Sequence, residues 1–276
     1  MDAHDDDLKT FEARGPLPLP TGGEYLDHDG VRLWFASFGS GPPVLLLHGG
    51  MGNAGNWGYQ VPALVDRGYR VLVMDTRGHG RSTRDHRPYS YETLATDALA
   101  VLDHAGVPQA SLVGWSDGAC TALVLASRRP DRVSGVLFFA CNMDPSGAKE
   151  FVFTDTIGRC LARHQRDYLT LSPTPDQFDA VFEAVGLMQR TQPNFTAADL
   201  AAIHVPVTVV HSEHDEFIRP DHARYLADTI PGARLVLLPE VSHFAPVQRP
   251  GVFHRAVLDF LTEQGGSVSF QQPRSS

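Results

Sequence analysis

The chain has 276 residues, room for one α/β domain carrying an insertion, and its 42% hydrophobic and 20% charged residues are ordinary for a globular protein. A formal net charge of −9 without any cluster of Lys or Arg argues against nucleic acid as a partner. No apolar run approaches the roughly 18 to 20 residues that a membrane span needs, so no membrane is expected as a partner either.

Residues 1–22 are acidic and then Pro-rich, and residues 265–276 are rich in Gly, Ser and Gln; both read as disordered tails. The acidic stretch Met1 to Asp7 stands where a secretory signal would be basic. Cys120, Cys141 and Cys160 are odd in number and lie in apolar or helical surroundings, which reads as packing in a reducing compartment and places the protein in the cytoplasm.

Between the tails, short apolar runs alternate with amphipathic ones. Glu24 to Asp27 and Val31 to Phe38, joined by Asp29-Gly30, predict an antiparallel hairpin. Pro43 to Leu47, Arg70 to Met74, Ala110 to Val113, Val133 to Phe139, Val207 to Val210 and Arg234 to Leu238 are short and rich in Val and Leu, as strands buried on both faces are. Helical spacing and caps fall between them, at Trp57 to Arg67, Tyr91 to Ala105, Asp117 to Arg128, Pro220 to Thr229 and Val252 to Glu263. The pattern predicts a mostly parallel sheet with helices on both faces, built from residues 23–142 and 204–264. Residues 143–203 are helical in pattern and interrupt a connection that ordinarily needs far fewer residues, so they predict a small helical cap. Ligands of open α/β sheets bind beyond the carboxyl ends of the strands, and the cap would overhang that end.

Gly114-Trp115-Ser116-Asp117-Gly118 follows the strand ending at Val113 and opens the helix Asp117 to Arg128, the setting of a nucleophile elbow. A serine hydroxyl needs an adjacent base, and the order Ser, acid, His is completed by His211-Ser212-Glu213-His214-Asp215 and by Ser242-His243-Phe244, each after a strand. Position singles out His243 from thirteen histidines as general base. Asp215 is the preferred acid, with Glu213, Glu216 and Asp144 as rivals. The backbone N–H of Asp117 and that of Gly50, with Met51 as rival, are the oxyanion donors, the second lying on His48-Gly49-Gly50-Met51-Gly52. Met51, Trp115 and Asp117 are candidate substrate contacts. This machinery needs no cofactor, and His211-x-x-His214 matches no zinc spacing.

Together with Asp75-Thr76-Arg77-Gly78-His79-Gly80-Arg81-Ser82, these residues resemble the α/β-hydrolase superfamily over about residues 24 to 263. The Gly-Trp-Ser-Asp-Gly elbow is similar to that of the biphenyl hydrolase-like proteins, the valacyclovirases. The resemblance implies the α/β-hydrolase fold and hydrolysis of a small carboxylic ester, with lactone, amino-acid ester or C–C bond cleavage as alternatives on the same triad. A non-catalytic receptor on this fold is a further alternative. It also implies a second role for Asp117, holding a substrate ammonium, against which stands the ordinary preference for an aspartate in a helix's first turn. A dehalogenase or epoxide hydrolase would require a carboxylate at position 116.

Overall fold

The computed structural model describes residues 8–10 and 22–266. Eight strands form one sheet: β1 (Glu24–His28), β2 (Val31–Phe38), β3 (Pro43–Leu47), β4 (Arg70–Met74), β5 (Ala110–Trp115), β6 (Val133–Phe139), β7 (Val207–His214) and β8 (Arg234–Ser242), in the order β1-β2-β4-β3-β5-β6-β7-β8. β1 and β2 run antiparallel to their neighbours, and every pairing from β4 onward is parallel. This is the α/β-hydrolase arrangement that the sequence implies.

Period two explains why the central strands are apolar throughout. In β3, Leu45 and Leu47 enter one core cluster and Val44 and Leu46 the other, each at most 1% exposed. Helices α2 (Tyr91–His104) and α3 (Asp117–Arg128) pack on the first face; α1 (Gln60–Val65) and α9 (Pro250–Gly266) cover the second. Each buried Leu or Val contributes about 1.5 to 3 kcal/mol by leaving water.

The chain leaves β3 for β4 on one side and then crosses to β5 on the other. The strand order reverses there, and the crevice beyond the carboxyl ends of β3 and β5 is where such sheets bind ligands. Between β6 and β7 lie α4 (Asp155–Leu171), α5 (Phe178–Thr191) and the short α6 (Ala197–Ala201), within the stretch 143–203. α7 (Pro220–Thr229) follows β7, and α8 (Ala245–Gln248) follows β8.

Several boundaries differ from the sequence reading: α1 is shorter than Trp57 to Arg67, β5 runs on to Trp115, and α9 runs to Gly266, two residues into the stretch 265–276 read as a disordered tail. β7 and β8 continue to His214 and Ser242, because their polar ends still pair, His214 opposite Ser242 past a bulge. Within the stretch 1–22, read as a disordered tail, residues 8–10 form a helical turn and Leu8 is 1% exposed in the second core cluster. One apolar side chain can dock a segment whose average composition is polar. The other residues of that stretch up to Thr21, and residues 267–276 of the second tail, lie outside the described residues. Cys120, Cys141 and Cys160 are buried free thiols. Among the described residues no helix is long and apolar enough to cross a membrane.

Candidate active site

The turn from β5 into α3 is forced by its neighbours. A Cβ on Gly114 would stand 2.4 Å from Cα of Ala119, and one on Gly118 would stand 2.0 Å from the carbonyl oxygen of Leu47. Only glycine at both positions lets α3 start directly against β3 and β5. Ser116, between them, has φ 54° and ψ −123°, a left-handed conformation costly for serine and typical of a nucleophile held in a strained turn. Its carbonyl begins the helix by accepting from the N–H groups of Ala119 and Cys120.

Asp215 follows the last residue of β7, and His243 follows the last residue of β8. The Asp215 carboxylate lies 3.2 Å (Oδ1) and 3.1 Å (Oδ2) from Nδ1 of His243, and Oδ1 also accepts from the N–H groups of Phe217 and Ile218. Burial pushes the Asp215 carboxyl up, but attraction to His243 and these hydrogen bonds outweigh it and hold the group below its ordinary value. An ionised Asp215 fixes the proton of a neutral His243 on Nδ1 and leaves Nε2 as a base. Burial alone would lower the His243 pKa; the charges of Asp215, Glu216 and Asp117 together raise it above the ordinary 6.5. Glu216 also accepts the backbone N–H of His243, and Phe217 meets the imidazole edge to face at 4.7 Å between ring centres.

Of the rival acids, Glu216 holds the backbone of His243 and not its ring, and the other two are engaged elsewhere. Asp144 caps the turn at Pro145–Gly147 and faces His222 at 3.8 Å, while Glu213 accepts the backbone N–H of Glu240.

A cavity of about 30 Å³, sufficient for a single water-sized group, joins these parts. Its walls include Ser116, His243, Trp115, Phe244, Gly49, Gly50, Gly52, Asn56 and, from α4, His164. Of the sequence candidates for substrate contact, Trp115 lines this cavity, whereas Met51 and Asp117 are not among its wall residues. Met51 is buried in the first core cluster. The Asp117 carboxylate is set beside Gly50 and accepts from the Tyr91 hydroxyl at 2.8 Å and from Gln189 Nε2 of α5 at 3.0 Å. Burial raises its pKa against the pull of those donors.

The loop carrying Gly50 is held by residues to which the sequence reading gave no individual role. The Thr76 N–H donates to Nε2 of His48, so Nδ1 carries the proton and donates to the Gly49 carbonyl at 2.8 Å. Burial lowers the His48 pKa to about 4 and keeps the ring neutral. Asp75 accepts from Ala54 N–H and from the N–H and guanidinium of Arg81. Asp75, Thr76 and Arg81 thus brace the loop that carries Gly50. Asn53, Tyr91, Gln189 and His164 carry no motif of their own and are legible only in three dimensions.

Comparison with known proteins agrees with this geometry. Residues 42–155 match the family model described as alpha/beta hydrolase fold. The chain is 27% identical to the serine hydrolase BPHL of Mus musculus over 248 residues, 84% of each chain. It is 27% identical to the structure of Est816, described as an N-acyl homoserine lactone degrading enzyme, with a TM-score of 0.73 over 86% of this chain and 100% of that one. The chain has the α/β-hydrolase fold and is similar to members of that superfamily. A shorter likeness of this hydrolase, 35% over 129 residues, is to bifunctional epoxide hydrolase 2 of Mus musculus, covering 44% of this chain and 23% of that protein. The hydrolase keeps a serine at the elbow, where the sequence reading requires a carboxylate for epoxide opening.

Proposed function

We propose that the protein is a serine hydrolase of small carboxylic esters, with Ser116 as nucleophile, His243 as general base and Asp215 as the acid that orients it. The observation that carries this reading is the Asp215–His243 pair, 3.1 Å apart, whose imidazole shares one cavity with a serine held at φ 54°.

Nε2 of His243 takes the Ser116 proton as Oγ attacks the ester carbonyl, and the N–H groups of Gly50 and Asp117 receive the developing oxyanion. His243 then passes the proton to the departing alkoxide, and water repeats the sequence on the acyl-enzyme. The substrate is a small molecule, and the free thiols suit a cytoplasmic location. A lactone is an internal ester open to the same steps, and the likeness to Est816 supports it as the second reading.

Incubation with a fluorophosphonate should label Ser116 stoichiometrically, and p-nitrophenyl butyrate should be turned over. Ser116→Ala should remove both and cost on the order of 10⁴ to 10⁶ in kcat with the fold intact. Substantial turnover by that variant would refute the assignment, and failure of the wild-type chain to react with probe, esters or lactones would favour a binding protein on this fold.

A further inference from the structure

Cap helix α4 reaches the catalytic cavity through one residue, His164, the only cap residue among its walls. Its placement is built in. Arg163 and Asp167, one turn apart on α4 and both buried, pair at 2.9 Å, and Asp167 accepts from Nδ2 of Asn53 at 3.4 Å. Asn53 immediately follows the oxyanion loop, so this contact docks α4 against that loop with His164 at the cavity.

Of the polar side chains that wall the cavity, Asn56 accepts the Asn53 N–H on Oδ1, and Nδ1 of His243 faces Asp215. The ring of the half-buried His164 makes no hydrogen bond among the described residues, and the buried indole Nε1 of Trp115 has no partner. A ring nitrogen on a cavity wall without a protein partner is open to a bound molecule.

We infer that His164 is a substrate-binding residue whose ring N–H donates to an oxygen, carbonyl or hydroxyl, borne on the acyl group of the ester. The inference rests on the ester-hydrolase reading above. Burial, with the neighbouring His79, Arg163 and His243, lowers the pKa of His164 to about 4, so at neutral pH the ring offers one donor and no charge. A neutral donor suits a neutral oxygen. The acyl side is favoured because α4 is fastened, through Asp167 and Asn53, beside the loop proposed to receive the carbonyl oxygen.

The test compares phenyl 3-oxobutanoate with phenyl 3-methylbutanoate, which share a leaving group and differ chiefly in the acyl oxygen. The wild type should favour the oxo ester in kcat/KM by about three- to tenfold, the range of a neutral hydrogen bond. His164→Phe, which keeps a planar ring, should erase that preference mainly through KM, and His164→Asn, which keeps an N–H, should restore part of it. A preference that survives in His164→Phe, or an equal loss on both esters with no rescue by Asn, would overturn the inference while leaving the triad standing. If the wild type hydrolyses neither ester nor p-nitrophenyl butyrate, the ester-hydrolase reading falls and this inference falls with it.

Discussion

The Asp215 carboxylate meets Nδ1 of His243 with both oxygens, while Asp144, the acid nearest the end of the preceding parallel strand, is turned to His222. Asp215→Asn should therefore lower kcat on p-nitrophenyl butyrate by about 10⁴, because an amide no longer fixes the productive tautomer or stabilises the imidazolium. Asp144→Asn should cost far less. Steady-state kinetics on both variants, with melting curves to verify the fold, check the ranking; the reverse order would transfer the acid to Asp144.

The acid limb of the pH–rate profile follows from the charges around His243. The base works only when neutral, and the raised pKa means that kcat/KM should begin to fall on the alkaline side of 6.5 as pH decreases. Asp117 and Glu216 are two of the charges that raise it. Asp117→Asn and Glu216→Gln should each move the limb to lower pH, and a profile unmoved by both would remove these carboxylates from the electrostatics of the base.

Asp117 is the residue through which a preference for amino esters would arise. Its carboxylate lies beside Gly50 but is already engaged by Tyr91 and Gln189, so a substrate ammonium would have to displace or join the Gln189 amide. If it does, α-amino esters should outrun their des-amino analogues. Asp117→Ala, which keeps the backbone donor, should then reduce that ratio by about 1.5 to 3 kcal/mol, a charge-assisted hydrogen bond. An equal loss on both ester classes would assign Asp117 to the integrity of the elbow alone.

Stability should be acid-sensitive in a window that identifies its source. Burial depresses the pKa of His48 to about 4 and, with help from His48, that of His79 to about 3. Between about 6.5 and those values the unfolded chain binds protons that the folded chain does not, so stability falls as pH decreases through this range. His164, His211, His222 and His254 are lowered too; His243, raised, acts in the opposite direction. The melting temperature should drop between pH 6.5 and 5, before most carboxylates titrate, and His79→Phe should flatten the slope. A melting temperature constant over that interval would contradict the buried neutral histidines.

The sheet was legible because its central strands are buried on both faces and therefore spell continuous Val and Leu, and Gly114 to Gly118 because two glycines are imposed by backbone contact. The ends of β7 and β8 were harder to read: Glu213 and His214 are polar and exposed, yet the strand continues past the bulge at Glu213 to pair His214 with Ser242. His243 and Asp215 were found by their places in the chain order. His164 and Gln189 lie on amphipathic helices where one polar residue looks like another, and only the docking of α4 and α5 gives them a location. Leu8 escaped for a related reason, since composition is an average and burial belongs to single side chains.

The contacts of the cap bear on how substrate is held. α4 is joined to Asn53 beside the loop that carries Gly50, and α5 is joined through Gln189 to the carboxylate of Asp117, whose own N–H is the other proposed oxyanion donor. Each proposed donor thus has a neighbour tied to a cap helix by one side-chain hydrogen bond. Fit and activation are coupled through those two bonds: an acyl group that pushed α4 or α5 aside would loosen the site meant to cleave it, and one that left them seated would not.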